Sequence, residues 1–443
     1  MTKVSFAVVG IFCLCLIVCV ALGVYILYPM LAGVLIFSAY ALIKGFKIKQ
    51  VFGMILSGIK TAKNVLIALV IVGMMTALWR SSGTIPAIVS YASTLIHPDI
   101  FILAAFLLNC LVGFLMGTSL GTSATMGVIC VTVGKTMGID PVLVGGAVLS
   151  GAYFGDRCSP VSTSALLVST LTKTNLYDNI KTMFKTAAVP FAVTCVMYLA
   201  LGFGVAKTGA EQSIDGLFSK DFVIHPVVLI PAALIILLAL FRVDVKISMG
   251  VSTLSAFLIS VFVQHRGFAE LLKTMITGFK CENEKIASMT DGGGVISMLK
   301  VIAIICCALA FSGIFDKTGI TASFKTPIKK ISEKISPYGA VLVASCVTSA
   351  IGSNQTIALI LTNTLCEDVM PDNGRRAICL EDTVIVIAAL VPWSTAGGAA
   401  LSAASAPEKS ILFAFYLMVL PLINFAFDFI KRKTTKKKNH ITA

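Results

Sequence analysis

The chain is organised around residues 145–172, which read GGAVLSGAYFGDRCSPVSTSALLVSTLT. An apolar, helix-like stretch enters this segment, is interrupted, and then resumes. Gly155 and Pro160 both oppose a continuous helix, because glycine has a flexible backbone and proline lacks the N–H that a helix requires. The interruption carries two ionisable side chains, Asp156 and Arg157, inside a hydrophobic segment. We therefore predict a broken helix here, with Gly155 and Pro160 as the residues that break it.

Charged groups in a broken membrane helix indicate a transport path. A charged side chain at the centre of a bilayer costs about 2.5–3.5 kcal/mol on insertion scales, so such residues usually mark the route of an ion or a substrate. Many secondary transporters interrupt helices near the membrane midplane and expose carbonyl groups and helix ends to the bound ion. The other interpretation is an Asp156–Arg157 ion pair in an ordinary loop between two helices.

The composition is that of a membrane protein. The 443 residues are 57% hydrophobic and 13% charged, and their mean hydropathy is +0.95. A soluble core of this size would need more charged surface. The first apolar run, 4–27, is expected to be a retained membrane helix rather than a signal peptide. The 13 cysteines include no C-x-x-C pair and no zinc-like cluster with histidine, so we expect neither a resident metal nor disulfides.

The net charge of +14 is distributed among loops rather than pooled on one surface. Basic residues crowd the loops near 44–63, 173–185, 242–246, 317–334 and 375–376. When the apolar segments are threaded in order, all of these loops fall on one side, which the positive-inside rule makes cytoplasmic together with both termini. The tail at 431–443 is then a basic cytoplasmic anchor on the lipid bilayer, and no nucleic acid partner is expected.

The two halves of the chain share short motifs in the same order, which indicates an internal repeat. The matched positions are Gly58 with Gly278, Gly83 with Gly319, Gly121 with Gly352 and Pro160 with Pro392, at offsets of 220 to 236 residues. Each half holds an odd number of predicted crossings. The repeats must therefore be inverted, so that their interrupted segments enter from opposite faces and meet near the middle of the membrane.

The predicted architecture is an all-α polytopic membrane protein with roughly 10–14 membrane segments, some of them re-entrant hairpins rather than full crossings. The first inverted repeat covers 1–205, with its broken segment at 141–171. The second covers 222–430, with its broken segment at 377–405. An external linker at 206–221 joins the two repeats.

Polar residues cluster at the interruptions in both halves, and their oxygens are the candidate ligands. The candidates for cation and proton binding are Asp156, Ser159, Ser162, Thr163, Asn354, Gln355, Glu381, Asp382, Thr383, Ser394 and Thr395. The supporting residues are Thr118, Ser119, Thr122, Ser123, Arg157 and Trp393, and Pro392 is expected to break the second helix as Pro160 breaks the first. Carboxylate, hydroxyl and amide oxygens suit a hard cation such as sodium, or a proton, rather than a soft metal.

Alternatives remain open for several of these residues. Glu381 and Asp382 are adjacent, so on a regular helix they point about a quarter-turn apart and only one of them readily faces the site. They could instead lie near the membrane edge, neutralised by Arg375 and Arg376. Single serine and threonine hydroxyls often bond back to their own helix or pack against a neighbouring one.

Six blocks of the sequence are distinctive: Gly151–Pro160, Ser81–Pro86, Gly117–Ala124, Gly352–Asn354, Leu380–Asp382 and Val391–Trp393. Together they resemble the NhaC family of sodium/proton antiporters, in the broader ion transporter superfamily. The resemblance covers most of the chain and implies secondary antiport of sodium against protons, by alternating access, in a bacterial inner membrane. Sodium ions and protons would be the coupling ions, and no further cofactor is expected. Relatives in the same family exchange organic acids or carry amino acids.

The sequence departs from the family pattern in three places. After Ser-Pro-x-Ser the family usually has Asp-Thr-Thr-Asn, whereas this chain has Thr163-Ser164-Ala165-Leu166. Thr383 opens a stretch where the family usually has Ser-Gly-Thr, and Ser394 replaces an expected asparagine. These losses keep open an alternative function, a sodium- or proton-coupled transporter of an organic acid or amino acid on the same scaffold.

A non-transporter, such as an intramembrane enzyme or a receptor, is the third class. The chain carries no H-E-x-x-H motif and no nucleotide-binding glycine motif, and no soluble stretch is long enough to house a catalytic domain. We therefore expect a transporter and not an enzyme. Self-association into a homodimer is left open by the sequence.

The orientation can be tested with reporter fusions. We expect a reporter placed after Lys63 and one at the carboxyl end to read cytoplasmic, and one placed within 207–219 to read external, because the positive-inside rule fixes the side of each loop. A cytoplasmic signal from the 207–219 fusion would contradict the orientation. It would also remove the argument that the repeats are inverted, because that argument depends on an odd number of crossings in each half.

Overall fold

The computed structural model describes residues 2–21, 27–61, 63–95, 97–205, 221–241, 243–283, 287, 290–318 and 325–441. Within these ranges the chain is helical, and its β structure is limited to an isolated antiparallel bridge between Phe279 and Gly292. The predicted linker, apart from residue 221, and the repeat position Gly319 lie outside the described residues.

The helices of the first half are α1 (Thr2–Ala21), α2 (Leu27–Ile43), α3 (Ile48–Thr61), α4 (Lys63–Ser81), α5 (Thr84–Leu95), α6 (Pro98–Met116), α7 (Ser119–Thr122), α8 (Val128–Thr136), α9 (Pro141–Cys158), α10 (Thr163–Thr172) and α11 (Leu176–Val205). A π-helix at Ser123–Gly127 joins α7 to α8.

The helices of the second half are α12 (Ile230–Leu240), α13 (Val245–Phe262), α14 (Phe268–Thr277), α15 (Val295–Thr318), α16 (Lys325–Lys334), α17 (Pro337–Gly352), α18 (Gln355–Cys366), α19 (Asn373–Asp382), α20 (Val384–Ile387), α21 (Gly397–Ala403) and α22 (Phe415–Ile441). Short 3-10 helices lie at Pro226–Leu229, Ala388–Leu390 and Glu408–Phe413.

Long apolar helices recur along the described part of the chain. Five of them have the length and composition to cross a membrane: Lys63–Ser81, Pro98–Met116, Leu176–Gly204, Val295–Phe315 and Glu408–Arg432. Shorter apolar helices, such as α2, α17 and α18, occur as well. An all-helical chain satisfies its backbone hydrogen bonds internally, as the bilayer interior requires. The predicted class, an all-α polytopic membrane protein, is confirmed.

The first broken segment is interrupted at residues 159–162, between α9 and α10. Ser159 is extended (φ −79°, ψ 133°), as expected for a residue that precedes a proline. Pro160 therefore lies in the break, as predicted. Ser162 then starts α10, because its Oγ accepts a hydrogen bond from the backbone N–H of Ala165 at 3.2 Å.

Gly155 does not break the helix, so this expectation was wrong. It lies inside α9, where a Cβ added to it would come 2.4 Å from the carbonyl carbon of Gly113 on α6. The position needs a glycine because two helix backbones meet there, and small residues are what allow such close approach between membrane helices.

The second broken segment has two irregularities. Thr383, at the end of α19, has φ −122° and ψ −83°, and α20 starts directly after it. The main interruption covers 391–396, where Val391 precedes Pro392 and is extended (φ −89°, ψ 113°). Pro392 therefore lies in the break, as predicted.

A further type of break is found at Gly117 in the first half and at Ser353 in the second. Gly117 ends α6 with φ 62° and Ser353 ends α17 with φ 52°, both in the left-handed region. The next residue caps the following helix in each case: Thr118 Oγ1 accepts from Gly121 N, and Asn354 Oδ1 accepts from Thr356 N. The order of broken elements is thus the same in both halves, while the inversion of the repeats stays a prediction.

Glycine contacts also join the first half to the second. A Cβ added at Gly58 on α3 would lie 2.0 Å from the carbonyl oxygen of Leu309 on α15. One added at Gly313 would lie 2.2 Å from the carbonyl oxygen of Met54. Lipid tails are as apolar as leucine, so membrane helices associate largely by such close backbone packing.

The packing at Gly155 can be tested by substitution. We expect Gly155→Ala to lower the free energy of unfolding by about 1–3 kcal/mol, because the new methyl group meets backbone that cannot move aside. Gly250→Ala on α13 is the matched control, since a Cβ at Gly250 has nothing within 4 Å. Thermal unfolding of both purified variants in detergent is the measurement. Equal stability of the two variants would contradict the packing argument.

Candidate cation and proton site

Asp156 lies in the last turn of α9, just before the break, and its side chain is buried. Its Oδ1 accepts hydrogen bonds from Ser162 Oγ at 2.8 Å and from Ser164 Oγ at 3.4 Å. The hydroxyl and the backbone N–H of Ser119, the first residue of α7, are also directed at this carboxylate. The broken helix and the neighbouring break at Gly117 thus surround one carboxylate with hydroxyl groups.

Asp156 lines a cavity of about 640 Å³ that also receives polar residues of the second half. The predicted residues that line it are Thr118, Ser119, Asp156, Thr163, Asn354, Gln355 and Thr395. The cavity extends to Asn64 on α4 and Lys246 on α13. These are the ends of α4 and α13 that the charge pattern predicts to be cytoplasmic.

Arg157 is not the partner of Asp156. Its guanidinium forms a buried ion pair with Asp382 at the end of α19. Its Nη1 donates to Tyr416 Oη at 3.1 Å and its Nη2 to Thr186 Oγ1 at 2.9 Å. The interpretation of Asp156 and Arg157 as an ion pair in an ordinary loop was therefore wrong. In the described part of the chain, no lysine or arginine lies within ion-pair distance of Asp156.

Asp382 is held by its neighbours on both carboxylate oxygens. Oδ1 accepts hydrogen bonds from the Arg157 guanidinium and, at 2.9 Å, from the hydroxyl of Thr186. Oδ2 accepts one from the side-chain amide of Asn424 at 3.1 Å. Asp382 does not line the cavity around Asp156. Its geometry is that of a fixed partner for Arg157, and the contacts leave little room for a transported cation.

Glu381 is fully buried, and neither of its carboxylate oxygens has a hydrogen-bond partner within the described residues. Arg157, Asp156 and Asp382 act electrostatically on it. A buried carboxylate without a partner is costly, so a proton or a cation is the natural counterpart of this group.

The arginines that precede Glu381 have other partners. Arg375 Nη2 bonds Asp428 Oδ1 at 2.5 Å, and Arg376 Nε donates to Asn363 Oδ1 at 3.1 Å. The alternative in which Arg375 and Arg376 neutralise Glu381 and Asp382 is therefore not what the structure shows.

The remaining predicted residues lie near the breaks and do not line the cavity, and all of them except Ser123 form hydrogen bonds with backbone groups. Ser159 Oγ donates to Phe114 O (2.6 Å), Thr122 Oγ1 to Thr118 O (2.9 Å), Thr383 Oγ1 to Cys379 O (2.6 Å) and Trp393 Nε1 to Ala350 O (3.1 Å), while Ser394 Oγ accepts from Ala396 N (3.1 Å). Ser123 is buried in the π-helix, and its hydroxyl has no partner among the described residues. These placements match the ordinary role of hydroxyls in membrane helices.

Four residues of the site were not predicted. Tyr153 lines the cavity, and Thr186, Tyr416 and Asn424 complete the shell of Arg157 and Asp382. Tyr153 precedes Asp156 by three residues and so shares its helix face, which is a signal that the sequence contained. The other three come from α11 and α22, and no local pattern links them to Asp156.

A search against protein-family models matches the chain to the Na+/H+ antiporter family, over residues 1–203 and 151–429. The chain belongs to this family. The resemblance to NhaC antiporters seen in the sequence is thereby confirmed, and the chain is a secondary active transporter and a multi-pass membrane protein.

Three named proteins are similar to this chain over most of its length. The Na+/H+ antiporter NhaC of Bacillus subtilis (strain 168) is 29% identical over 425 residues, which are 91% of this chain and 92% of that protein. A malate-2H+/Na+-lactate antiporter of the same organism is 29% identical over 370 residues, 80% of this chain and 78% of that protein. The arginine/ornithine antiporter ArcD of Halobacterium salinarum is 28% identical over 434 residues, 94% and 87% of the two chains.

The different surroundings of Glu381 and Asp382 lead to different expected effects of substitution. We expect Asp382→Asn to lower the free energy of unfolding by about 3–5 kcal/mol, because Arg157 would stay buried and charged without its carboxylate. Glu381→Gln breaks no hydrogen bond within the described residues and should leave stability nearly unchanged. Thermal unfolding of the two variants in detergent distinguishes them.

The matched control is the double variant Arg157→Gln with Asp382→Asn, which removes both charges at once. It should be more stable than Asp382→Asn alone, because no unpaired charge is left. Full stability of Asp382→Asn would contradict the structural role of the pair.

Proposed function

We propose that the chain exchanges sodium ions for protons across the bacterial inner membrane by alternating access, with both termini in the cytoplasm. In this mechanism Asp156 holds either a sodium ion or a proton, and no further cofactor takes part. A site that admits either ion but not both at once couples their opposite flows. A homodimer is compatible with this mechanism, which needs only one chain.

The observation that carries the proposal is the isolation of Asp156 from any basic partner. Its neighbour Arg157 is held by Asp382, and no other lysine or arginine of the described chain reaches it. A carboxylate that is buried and unpaired must be compensated, and a cation or a proton arriving through the cavity can do so.

The groups around Asp156 suit sodium. Ser162, Ser164 and Ser119 direct hydroxyls at the carboxylate, and Thr163 and Asn354 add oxygens along the cavity wall. Hard cations prefer such oxygen ligands. The NhaC antiporter of Bacillus subtilis, similar over most of its length, supports the same pair of ions.

A second candidate function is the coupled transport of an organic acid or amino acid. The cavity volume of about 640 Å³ supports it, because pockets for small organic ligands measure about 300–1,000 Å³. Thr163 lines this cavity at a position where the family pattern usually has a carboxylate, so the cavity lacks a negative charge that would repel an anionic solute. The lactate and arginine antiporters among the similar proteins support this candidate.

The role of Asp156 can be tested in vesicles. We expect Asp156→Asn to reduce sodium-induced proton flux to the level of empty vesicles, because the neutral amide cannot take up a proton and carries no negative charge for a sodium ion to compensate. The variant should still fold, since asparagine keeps the shape and can still accept the hydrogen bonds of Ser162 and Ser164. Flux is measured with equal amounts of folded protein and a pH-sensitive dye.

Asp178→Asn is the matched control, because Asp178 is an exposed carboxylate on α11. It should keep normal flux. Undiminished flux in Asp156→Asn would end the proposal. Uptake of labelled organic acids by the same vesicles, without sodium-induced proton flux, would favour the second candidate function.

A further inference from the structure

A second cavity, of about 320 Å³, lies at the other end of the elements that border the first. Asn64 and Ala68 of α4 line the first cavity, whereas Arg80 of the same helix lines the second. Ala68 and Arg80 are separated by about 18 Å at the helical rise of 1.5 Å per residue. The second cavity is therefore on the face opposite to the predicted cytoplasmic opening.

Arg80 is the central charged group of this cavity, and 7% of it is exposed. Its Nη1 donates to the backbone carbonyl of Thr76 at 2.8 Å, but its Nε has no partner among the described residues. An arginine stays charged in proteins, so an unused N–H on a buried guanidinium is costly. The group that satisfies it best is an oxyanion, which a guanidinium binds through two parallel hydrogen bonds.

The glycine run 292–294 forms one wall beside this arginine. All three glycines have positive φ (129°, 74° and 83°), and a Cβ at Gly292 would lie 3.7 Å from Arg80 Nε. The run is pinned in place, because Gly292 N donates to Phe279 O and Gly294 N donates to Gly73 O. The absence of side chains here keeps the space next to the guanidinium open.

Among the described residues, three charged side chains line the cavity. Lys135 and Arg80 are basic, and Asp291 is acidic and acts electrostatically on Arg80. Asp291 is itself engaged, because its Oδ1 accepts from the backbone N–H of Cys281 at 2.7 Å. Ser402 also lines the cavity, and its hydroxyl can donate to a second oxygen of the ligand.

We propose that this second cavity binds a singly charged carboxylate on the face opposite to the cation cavity. The buried guanidinium supplies the paired hydrogen bonds, and Lys135 supplies additional attraction. A monocarboxylate is favoured over a dicarboxylate, because the second negative charge would face Asp291 without compensation. This binding site would give the second candidate function its substrate class, a monocarboxylate. Transport of the bound carboxylate rests on that candidate function.

Binding is measured on the purified, full-length protein in detergent by the shift in thermal unfolding temperature. Lactate is the monocarboxylate probe, succinate the dicarboxylate, and chloride at equal ionic strength the control. A ligand that binds only the folded state raises its stability in proportion to affinity. We expect lactate to raise the unfolding temperature more than either other salt. Equal effects of lactate and chloride on the wild-type protein would overturn the proposal.

Substitutions test whether lactate binds in the second cavity. Arg80→Gln should weaken lactate binding by about tenfold or more, because hydrogen bonds to a charged group are lost. Lys135→Gln should weaken it about two- to fivefold and Asp291→Asn should tighten it about two- to fivefold, as removal of one exposed charge predicts. Lys135 and Asp291 are both exposed, so their substitution should not prevent folding. These two variants therefore test the proposal even if Arg80→Gln does not fold.

Lys181→Gln, which removes an exposed charge on α11, is the matched control and should bind lactate normally. Unchanged affinity in both Lys135→Gln and Asp291→Asn would overturn the proposal. The Asp156→Asn variant separates this inference from the proposed cation exchange. It should lose sodium-induced proton flux yet show the wild-type lactate shift, because the two cavities are distinct.

Discussion

The buried pair of Arg157 and Asp382 is the interaction on which the rest of the site depends. It joins α9 of the first half to α19 of the second, and hydroxyl and amide groups from α11 and α22 complete its shell. Two buried charges are tolerated only when each is paired and its remaining polar atoms are satisfied. Because Arg157 is held in this way, Asp156 next to it has no basic partner.

The helix breaks bring hydrogen-bonding groups to this unpaired carboxylate. Each break frees helix ends and side-chain hydroxyls at membrane depth, where an intact helix would offer none. The break after Cys158 supplies Ser162 and Ser164 to Asp156, and the break at Gly117 supplies Ser119. Residues just before α21 border the first cavity, and Ser402 near its end borders the second. One short helix therefore lies between the two openings.

Sequence patterns predicted the breaks well but assigned residues to them less well. Pro160 and Pro392 both lie in interruptions, because the missing N–H and the restriction on the preceding residue act locally. Gly155 was assigned to the break, yet it serves close packing against Gly113. A glycine is compatible with a break or a close contact, and the neighbour that decides between them lies about 40 residues away in sequence, on another helix.

The sequence by itself determined the membrane class, the places where helices are interrupted, the acid at the first break and the family. These follow from composition, from proline and glycine chemistry and from short motifs, all of which are local. Only the tertiary structure decided which carboxylate Arg157 binds, that Glu381 is left without a hydrogen-bond partner in the described chain, and that Arg80 borders a second cavity. A charge in the membrane interior must find compensation in space, and the partner it finds is set by how helices far apart in the chain pack together.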